Sequence, residues 1–488
     1  MNSPFFIFQA IAAILYSLCV CLLCLYGLHS LWLLFRFLRY RKEKAQTPEN
    51  TQPNSAVLVQ LPIYNERDVV TRLLECISQL EWPKSLLRIQ LLDDSTDDSI
   101  EIGKKAIAEI SKRGINITHV TRTKRIGYKA GALEEGLKLD AMHADGPAPF
   151  VAIFDADFLP HADFLRKALP SLENDNQLAF IQGRWEHLNR NKSFLTRAQA
   201  MGIDGHFAIE QGARAWSGLA LNFNGTCGVW RVEAIHDAGG WQHDTLTEDM
   251  DLSYRAHLKG WRGAYDLDLD VPGEIPHTLE AWRAQQFRWA KGSLQTARKL
   301  LPKVWSSDWK LVKKCAATAH MTHYLVHPLI LLSLAFAPLA IPFFANTNAD
   351  LILIGLACLL CGMFCPILLY IASQLVLRRP LKHYLALPLL TAMGTGIAIS
   401  NSRAAIDVFR DRVKEFIRTP KYGDSKGSYR AKESWGLVEL LAASWGIIGI
   451  AFAWQQSSWI MPILAIYVSG FLHHGCTLLA NRINQWKA

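Results

Sequence analysis

Long uncharged stretches alternate along this chain with one long segment of mixed polarity. Charge-free stretches cover Asn2–Phe35, Cys315–Ala349, Leu351–Leu377, Tyr384–Ser402 and Leu440–Asn481. A helix that crosses a bilayer needs about 20 apolar residues. The last stretch is long enough for a hairpin of two spans, with Gln455 to Ser458 at the turn. Pro388, Gly394 and Gly396 interrupt Tyr384–Ser402 and predict an interfacial or re-entrant segment there. We therefore expect five spans, or six if that segment crosses.

Basic residues next to these stretches predict the orientation of the chain. Arg36, Arg39, Arg41, Lys42 and Lys44 follow the first stretch, and the third is followed by a second basic group, Arg378, Arg379 and Lys382. Such groups favour the cytoplasmic side of a membrane. The sequence thus predicts a multi-pass protein of the inner or plasma membrane with its central segment in the cytoplasm. Much of the net charge of +9 lies beside the spans, which favours anionic lipid over nucleic acid as its partner.

The central segment, residues 46–314, has the alternating pattern of an α/β domain. Strands are expected at 56–61, 88–92, 116–120 and 150–154, with helices at 68–80, 98–112 and 128–139. Such alternation predicts an open, mainly parallel sheet with helices on both faces. The resulting division is a first transmembrane helix (1–38), this domain (46–314), two transmembrane helices (315–377), an interfacial segment and loop (378–436) and a transmembrane hairpin (437–481).

Composition narrows the class of protein. Half of the 488 residues are hydrophobic and 19% are charged, which excludes a disordered chain or a small disulfide scaffold. Seven of the ten cysteines lie in the apolar stretches, and the domain is expected in the cytosol, so no disulfides are predicted. The chain has neither a GxGxxG motif after the first strand nor a P-loop motif, which argues against dinucleotide oxidoreductases and P-loop NTPases.

Acidic residues follow two of the predicted strands. Asp93 and Asp94 end the second strand, while Asp155 and Asp157 follow the fourth. Ligands of open α/β sheets bind beyond the carboxyl ends of the strands. Two carboxylates there are suited to share Mg²⁺ or Mn²⁺ with a diphosphate, although a solvated turn would explain the same pair.

Two further segments carry candidate chemistry. Glu248 and Asp249 open a predicted helix, where Asp249 is a candidate general base for an acceptor hydroxyl, or only part of a helix cap. Gln285, Arg288 and Trp289 have the spacing of one helical face. The guanidinium suits a diphosphate and the indole suits a sugar ring, whereas an amphipathic helix on the membrane is the alternative.

Two loops after strands are candidates for nucleotide binding. Tyr64 and Glu66 follow the first strand and are able to stack on and hydrogen-bond a nucleobase. Lys129 lies at the start of a predicted helix, where backbone N–H groups already favour phosphate. An ordinary strand-to-helix turn and a surface lysine are the alternatives.

These segments, in this order, resemble the processive membrane-integrated family 2 glycosyltransferases, of the cellulose synthase and cellulose-synthase-like mannan or glucan synthase type. The matching stretches are QLPIYNE, LLDDSTDDS, YKAGAL, FDADF, QGRWEHLN, LNFNGTCGVWR, LTEDMDLSYRAHLKGW and QQFRWAKGS, together with FIRTPKYG at 416–423, which is similar to the gating loop of that family.

The resemblance implies a GT-A (Rossmann-like) domain inserted between transmembrane helices, and it assigns roles to its residues. By this resemblance, Asp155 and Asp157 bind the metal and Asp249 is the catalytic base. The residues that contact the substrate are Tyr64, Glu66, Asp93, Asp94, Lys129, Asp155, Asn224, Gly225, Thr226, Glu248, Gln285, Arg288 and Trp289. The implied reaction is inverting transfer of a hexose from UDP-glucose or GDP-mannose to a growing β-linked polysaccharide, exported through the protein's own pore. Transfer to a membrane lipid such as diacylglycerol or ceramide is the alternative, and accessory proteins are left open.

Overall fold

The computed structural model describes residues 4–43, 54–344, 349–410, 436–456 and 460–487. The loop at 416–423 lies outside the described residues. Within the described ranges a seven-stranded sheet forms the centre of the domain. Its strands are β1 (Val57–Ile63), β2 (Leu87–Asp93), β3 (Asn116–Thr121), β4 (Phe150–Ile153), β5 (Leu178–His187), β6 (Gly228–Arg231) and β7 (Arg262–Gly273).

Helices cover both faces of the sheet and continue into the apolar part of the chain. In chain order they are α1 (Pro4–Tyr40), α2 (Val70–Ile77), α3 (Ser99–Ser111), α4 (Tyr128–Asp140), α5 (Phe164–Asn174), α6 (Phe194–Asp204), α7 (Gly212–Trp216), α8 (Val232–Asp237), α9 (Glu248–Leu258), α10 (Leu279–Ser306), α11 (Leu311–Thr322), α12 (Val326–Phe344), α13 (Ala349–Val376), α14 (Leu387–Gly396), α15 (Ala398–Phe409), α16 (Leu437–Gln455) and α17 (Met461–Lys487). A π-helical stretch, Gly205–Gln211, joins α6 to α7.

The strand order is β3-β2-β1-β4-β6-β5-β7. The first four strands are parallel to one another, as the sequence predicts. β6 runs antiparallel to both β4 and β5. Because of this reversal, the chain that enters β6 meets the carboxyl end of β4, where Ile153 pairs with Gly228. The predicted α/β fold is confirmed, and the one reversed strand brings a second loop to the ligand-binding edge.

Apolar side chains fill the space on each face of the sheet. The strand residues Val57, Val59 and Leu61 pack with α2, α3 and α5 on one face, and Leu58, Val151 and Trp230 pack with α4 and α9 on the other. These side chains are fully buried. Each such burial stabilises the fold by about 1.5–3 kcal/mol, so the sheet is a rigid base for the loops at its edge.

Five helices of the described chain are long and apolar enough to span a membrane: Pro4–Tyr40, Leu311–Phe344, Leu353–Val376, Leu437–Gln455 and Met461–Asn484. The pair α14 and α15 passes the same test only together and is bent by 40°. It coincides with the segment predicted as interfacial or re-entrant. The five predicted spans and the six-span alternative thus both have structural counterparts, and the chain is a multi-pass membrane protein.

Candidate active site

The carboxylates that follow β4 meet the turn that precedes β6. The backbone N–H of Asp155 donates to the Thr226 hydroxyl at 2.9 Å, and Lys129 Nζ donates to Gly225 O at 2.8 Å and to Asp155 Oδ1 at 2.6 Å. Gly225 has a φ of +77°, a conformation that glycine adopts without a steric penalty. The antiparallel strand therefore explains how residues 71 positions apart along the chain reach one point.

Lys129 is surrounded by acidic groups. Burial alone would lower the pKa of its ammonium group, but Asp155, Glu248 and Asp249 outweigh that effect and raise it. Lys129 is therefore charged at neutral pH. It lies in the first turn of α4, as the sequence predicts. A helix start next to an ammonium group is an arrangement that is suited to a phosphate oxygen.

Glu248 and Asp249 lie in the first turn of α9. Burial and the neighbouring Glu248 carboxylate raise the pKa of Asp249 to about 7, and burial also raises the pKa of Glu248. Asp249 lies beside the turn before β6, since a Cβ atom added to Gly225 would be 3.0 Å from Asp249 Oδ2. A carboxyl group with a pKa near neutrality is suited to general base catalysis.

Helix α10 packs tightly against the start of α9. A Cβ atom on Gly292 would lie 2.6 Å from Thr247 Cγ2 and 2.9 Å from Thr247 N, so only glycine permits this approach. Gln295 Oε1 accepts the N–H of Leu246 at 3.0 Å. Gln285, Arg288 and Trp289 lie on α10 one to two turns before Gly292. The helix with the candidate phosphate and sugar contacts is thereby fixed beside the candidate base.

One cavity of about 550 Å³ connects this site with the membrane helices. Asp249, Asn224 and Trp289 line it on the domain side, and Leu359 of α13 and Tyr467 of α17 line it among the membrane helices. His320 near the end of α11, His327 near the start of α12 and His323 between the two helices line it as well. A sugar chain that left Asp249 along this cavity would enter the membrane part directly.

The predicted base-binding residues form a second group at the carboxyl ends of β1 and β2. Arg122 donates to Asp94 Oδ1 at 2.9 Å, and the Arg125 guanidinium lies 3.4 Å from the centre of the Tyr64 ring. Asp93 is buried, and its two oxygens contact the His119 ring and the Ser95 N–H. The predicted contact between Asp93 and the nucleotide-sugar substrate stays a prediction. Glu66 is buried at the start of the segment that leads into α2.

Some residues at the site were not assigned a role individually from the sequence. Trp185, which belongs to the matching stretch QGRWEHLN, lines the cavity and stacks on Phe207, with ring centres 5.0 Å apart. Glu210 and its partners were not singled out at all. Glu210 lies in the π-helical stretch and pairs with Arg214 at 2.8 Å and with His206 at 3.0 Å. Burial alone would raise the pKa of Glu210, but Arg214 and His206 hold it well below its usual range. π-Helical turns often occur at functional sites, and nothing in the local sequence predicts one here.

The sheet order and the acidic residues at the carboxyl ends of its strands have the arrangement that is expected of a GT-A fold. Residues 53–292 match the family described as "Glycosyltransferase like family 2". Glucomannan 4-beta-mannosyltransferase 1 of Oryza sativa subsp. japonica is 40% identical over 296 residues, which is 58% of this chain and 56% of that protein. Glucomannan 4-beta-mannosyltransferase 2 of Arabidopsis thaliana is 42% identical over 274 residues, 54% of this chain and 50% of that protein.

Residues 53–292 thus match glycosyltransferase family 2, and these relatives support the predicted family resemblance. It spans about half the length of the curated relatives it matches. Among solved structures, the mannosyltransferase PcManGT from Pyrobaculum calidifontis, in complex with GDP-Man and Mn²⁺, aligns with 82% of this chain and 99% of its own, at 20% identity and a TM-score of 0.51. That likeness supports the fold.

Proposed function

We propose that this protein is an inverting β-glycan synthase that transfers a hexose from a nucleotide sugar to a growing polysaccharide. The observation that carries the proposal is the continuous cavity from Asp249 into the membrane helices. Relatives named mannosyltransferases favour GDP-mannose over UDP-glucose as the donor. The product chain would leave through the cavity as it grows.

The charges of the pocket suit a divalent cation, Mg²⁺ or Mn²⁺. Asp155, Glu248 and Asp249 surround Lys129, and Asp157 acts together with Asp155 on the neighbouring Cys227. Burial is the main cause of the raised pKa values of Glu248 and Asp249, and neighbouring carboxylates raise them further, so a cation would offset the excess negative charge. The described residues include no group of three protein ligands arranged for a metal. Two aspartates plus donor phosphates are a usual set for such ions. Asp155 and Asp157 would hold the cation, which would neutralise charge on the leaving diphosphate.

The chain's own residues account for the transfer step. Asp249 accepts the proton of the acceptor hydroxyl, which makes that oxygen a nucleophile. Lys129 and Arg288 hold the diphosphate and stabilise its developing charge. Trp289 and Trp185 provide flat apolar faces for the acceptor sugar. One base and one phosphate site favour a single displacement at the anomeric carbon, which converts an α-linked donor into a β-linkage.

The domain would face the cytoplasm. Arg36, near the basic end of α1, donates to Ser217 O of the domain at 2.9 Å. Gln374, near the end of α13, donates to Asp204 Oδ2 of the domain at 2.9 Å. Both basic flanks of the membrane helices therefore lie on the side of the domain, which supports a cytoplasmic location by the positive-inside rule. The membrane itself would be the inner or plasma membrane.

The product distinguishes the two candidate functions. Purified protein in liposomes is incubated with Mn²⁺ and radiolabelled GDP-mannose or UDP-glucose, and label is counted in the ethanol-insoluble and organic phases. The proposal expects polymer from GDP-mannose that an endo-β-1,4-mannanase degrades. Label confined to the organic phase would instead establish the glycolipid alternative. The Asp249→Asn variant is the negative control.

A further inference from the structure

Two identical Cys-Leu-Leu-Cys tetrapeptides occur in membrane-spanning helices. The first, Cys21–Cys24, lies near the middle of α1, and the second, Cys358–Cys361, lies near the middle of α13. Residues three apart share a helical face. Each helix therefore presents a pair of thiols along one face, at a depth where charged reagents from either side of the membrane do not reach.

The two helices pack side by side at this point. A Cβ atom on Gly27 would lie 2.2 Å from the carbonyl oxygen of Cys361, and one on Gly362 would lie 3.2 Å from the backbone of Leu23. Glycines at both positions allow the backbones to approach closely. Because Leu23 and Gly27 both meet the segment at 361–362, the tetrapeptide on one helix lies directly beside that on the other.

The thiols of the two tetrapeptides are neighbours, and all of them are free in the structure. Cys21 interacts electrostatically with Cys358, and Cys24 interacts with both Cys358 and Cys361. Cys365, one turn further on α13, contacts Cys361. Cys24 and Cys365 are buried, whereas Cys21 is exposed on the outer surface of the helix bundle. We call these five residues the thiol seam.

We propose that the thiol seam is redox-active and that two of its five thiols form a disulfide between α1 and α13. The bond joins Cys21, which is exposed on the outer surface of the bundle, to Cys358. In the oxidation, each thiol loses its hydrogen and one S–S bond forms. The two electrons and two protons pass to dioxygen, which is apolar and dissolves in the bilayer, and hydrogen peroxide is released.

The location of the seam removes the usual argument against disulfides in cytosolic proteins. Cytosolic thiols stay reduced because charged reductants such as glutathione reach them, and an ionised tripeptide is strongly excluded from hydrocarbon. A metal centre is a weaker account of the same thiols, because the described residues contain no group of three ligands arranged for an ion. A disulfide needs only two thiols.

The seam borders the cavity that leads from Asp249. Leu23 and Gly27 of α1 and Leu359 and Gly362 of α13 all line that cavity. A bond between the helices would therefore fix one wall of the passage. Donor binding at Lys129 and Asp155, which lie in the domain, is expected to be the same in both redox states.

The test uses the full-length protein from aerobically grown cells, with free thiols alkylated by a membrane-permeant maleimide at lysis. The proposal expects two fewer labels per chain than after treatment with permeant dithiothreitol, and a cross-linked peptide that joins 21–24 to 358–361. The double variants Cys21→Ser/Cys24→Ser and Cys358→Ser/Cys361→Ser should each lose that peptide. Cys315→Ser, an exposed cysteine outside the seam, should keep it.

A catalysed oxidation separates packing from redox chemistry. Copper–phenanthroline in liposomes should cross-link the seam fully if the thiols are adjacent. A cross-link that forms only with this catalyst, and is absent from the aerobically isolated protein, would overturn the proposal and leave the cysteines as packing residues. Absence of the cross-link in both arms would overturn it too. Neither readout depends on transfer activity.

Discussion

At the scale of single residues, Gly225 controls the distance between the candidate base and its neighbours. Alanine there would place a methyl group 3.0 Å from Asp249 Oδ2 and 3.3 Å from Lys129 Nζ. Such contacts require the neighbours to move by a few tenths of an ångström, whereas displacing reacting groups by about 1 Å costs on the order of 100-fold in rate. We therefore expect Gly225→Ala to lower the transfer rate measurably, by less than about 100-fold.

Gly218 provides a matched control for this substitution. Its φ is +72°, close to that of Gly225, but an added Cβ would meet no atom within 4 Å. Both alanine variants carry similar backbone strain, about 1–2 kcal/mol. Gly218→Ala should therefore lose comparable thermal stability while it keeps its transfer rate. An equal loss of transfer rate in the two variants would contradict the claim that the methyl group at position 225 acts by displacing Asp249 and Lys129.

The protonation of Asp249 should govern both rate and stability. A general base acts when it is unprotonated, so the transfer rate at saturating donor should rise with pH through the pKa near 7 and then level off. A flat profile between pH 5.5 and pH 8 would contradict this assignment.

The same shift has a consequence for folding. The carboxyl group has a usual pKa of 3.8 and one of about 7 in the folded protein. Between these values the folded state holds a proton that the unfolded state has released, so this group's contribution to stability is lost as pH rises through that window. Asp249→Asn should accordingly raise the unfolding temperature of the ligand-free protein at pH 8 and leave it nearly unchanged at pH 4.

At the scale of elements, an ion pair joins α10, the helix that carries Arg288 and Trp289, to the membrane helix α16. Arg283 on α10 pairs with Glu439 on α16 at 2.7 Å, and their side chains are only 11% and 3% exposed. Removing one partner of a buried ion pair leaves the other charge buried without compensation, and it destabilises the folded state by about 3–5 kcal/mol. We expect each of Arg283→Gln and Glu439→Gln to destabilise the detergent-solubilised protein by about that much, and the double variant to lose less than the sum.

The two single variants and the double variant form a double-mutant cycle, which gives a coupling energy for the pair. An exposed ion pair provides the reference value for that coupling energy. Arg166 and Glu81 lie 3.1 Å apart with both side chains about half exposed. Such pairs contribute at most about 1 kcal/mol. A coupling energy for Arg283 and Glu439 no larger than that of this control would show that α10 is not anchored to the membrane helices through the pair.

The elements that the sequence predicted are those with an uninterrupted apolar pattern. The helix expected at 98–112 is α3, Ser99–Ser111, and the strand expected at 56–61 is β1, Val57–Ile63. Strands β5 and β7 were not assigned individually. β5 begins with the apolar run Leu178–Ile181 and continues with Gln182, Arg184 and Glu186, so no single period runs along the whole strand. β7 does alternate, with Leu267, Leu269 and Val271 between aspartates, but it was not recognised as a strand.

At the scale of the whole molecule, the sequence predicted the α/β fold and the apolar helices, but not how the candidate site residues meet. The charge-free stretches gave the membrane helices, because length and polarity alone decide that question. Contact between Lys129, Asp155 and Gly225 depends on the reversed strand β6, which no local pattern encodes. The cavity residues His206, Glu210 and Arg214 depend on a π-helical turn and on tertiary packing, and sequence analysis did not find them.

The most direct measurement compares the wild-type protein with Asp249→Asn in liposomes, with donor affinity and transfer rate determined on the same preparations. Asp244→Asn is the control, since Asp244 is an exposed residue paired with Lys299. We predict that Asp249→Asn binds GDP-mannose and Mn²⁺ with near-normal affinity and forms no polymer, while Asp244→Asn does both. Polymer formation at the wild-type rate by Asp249→Asn would contradict the account.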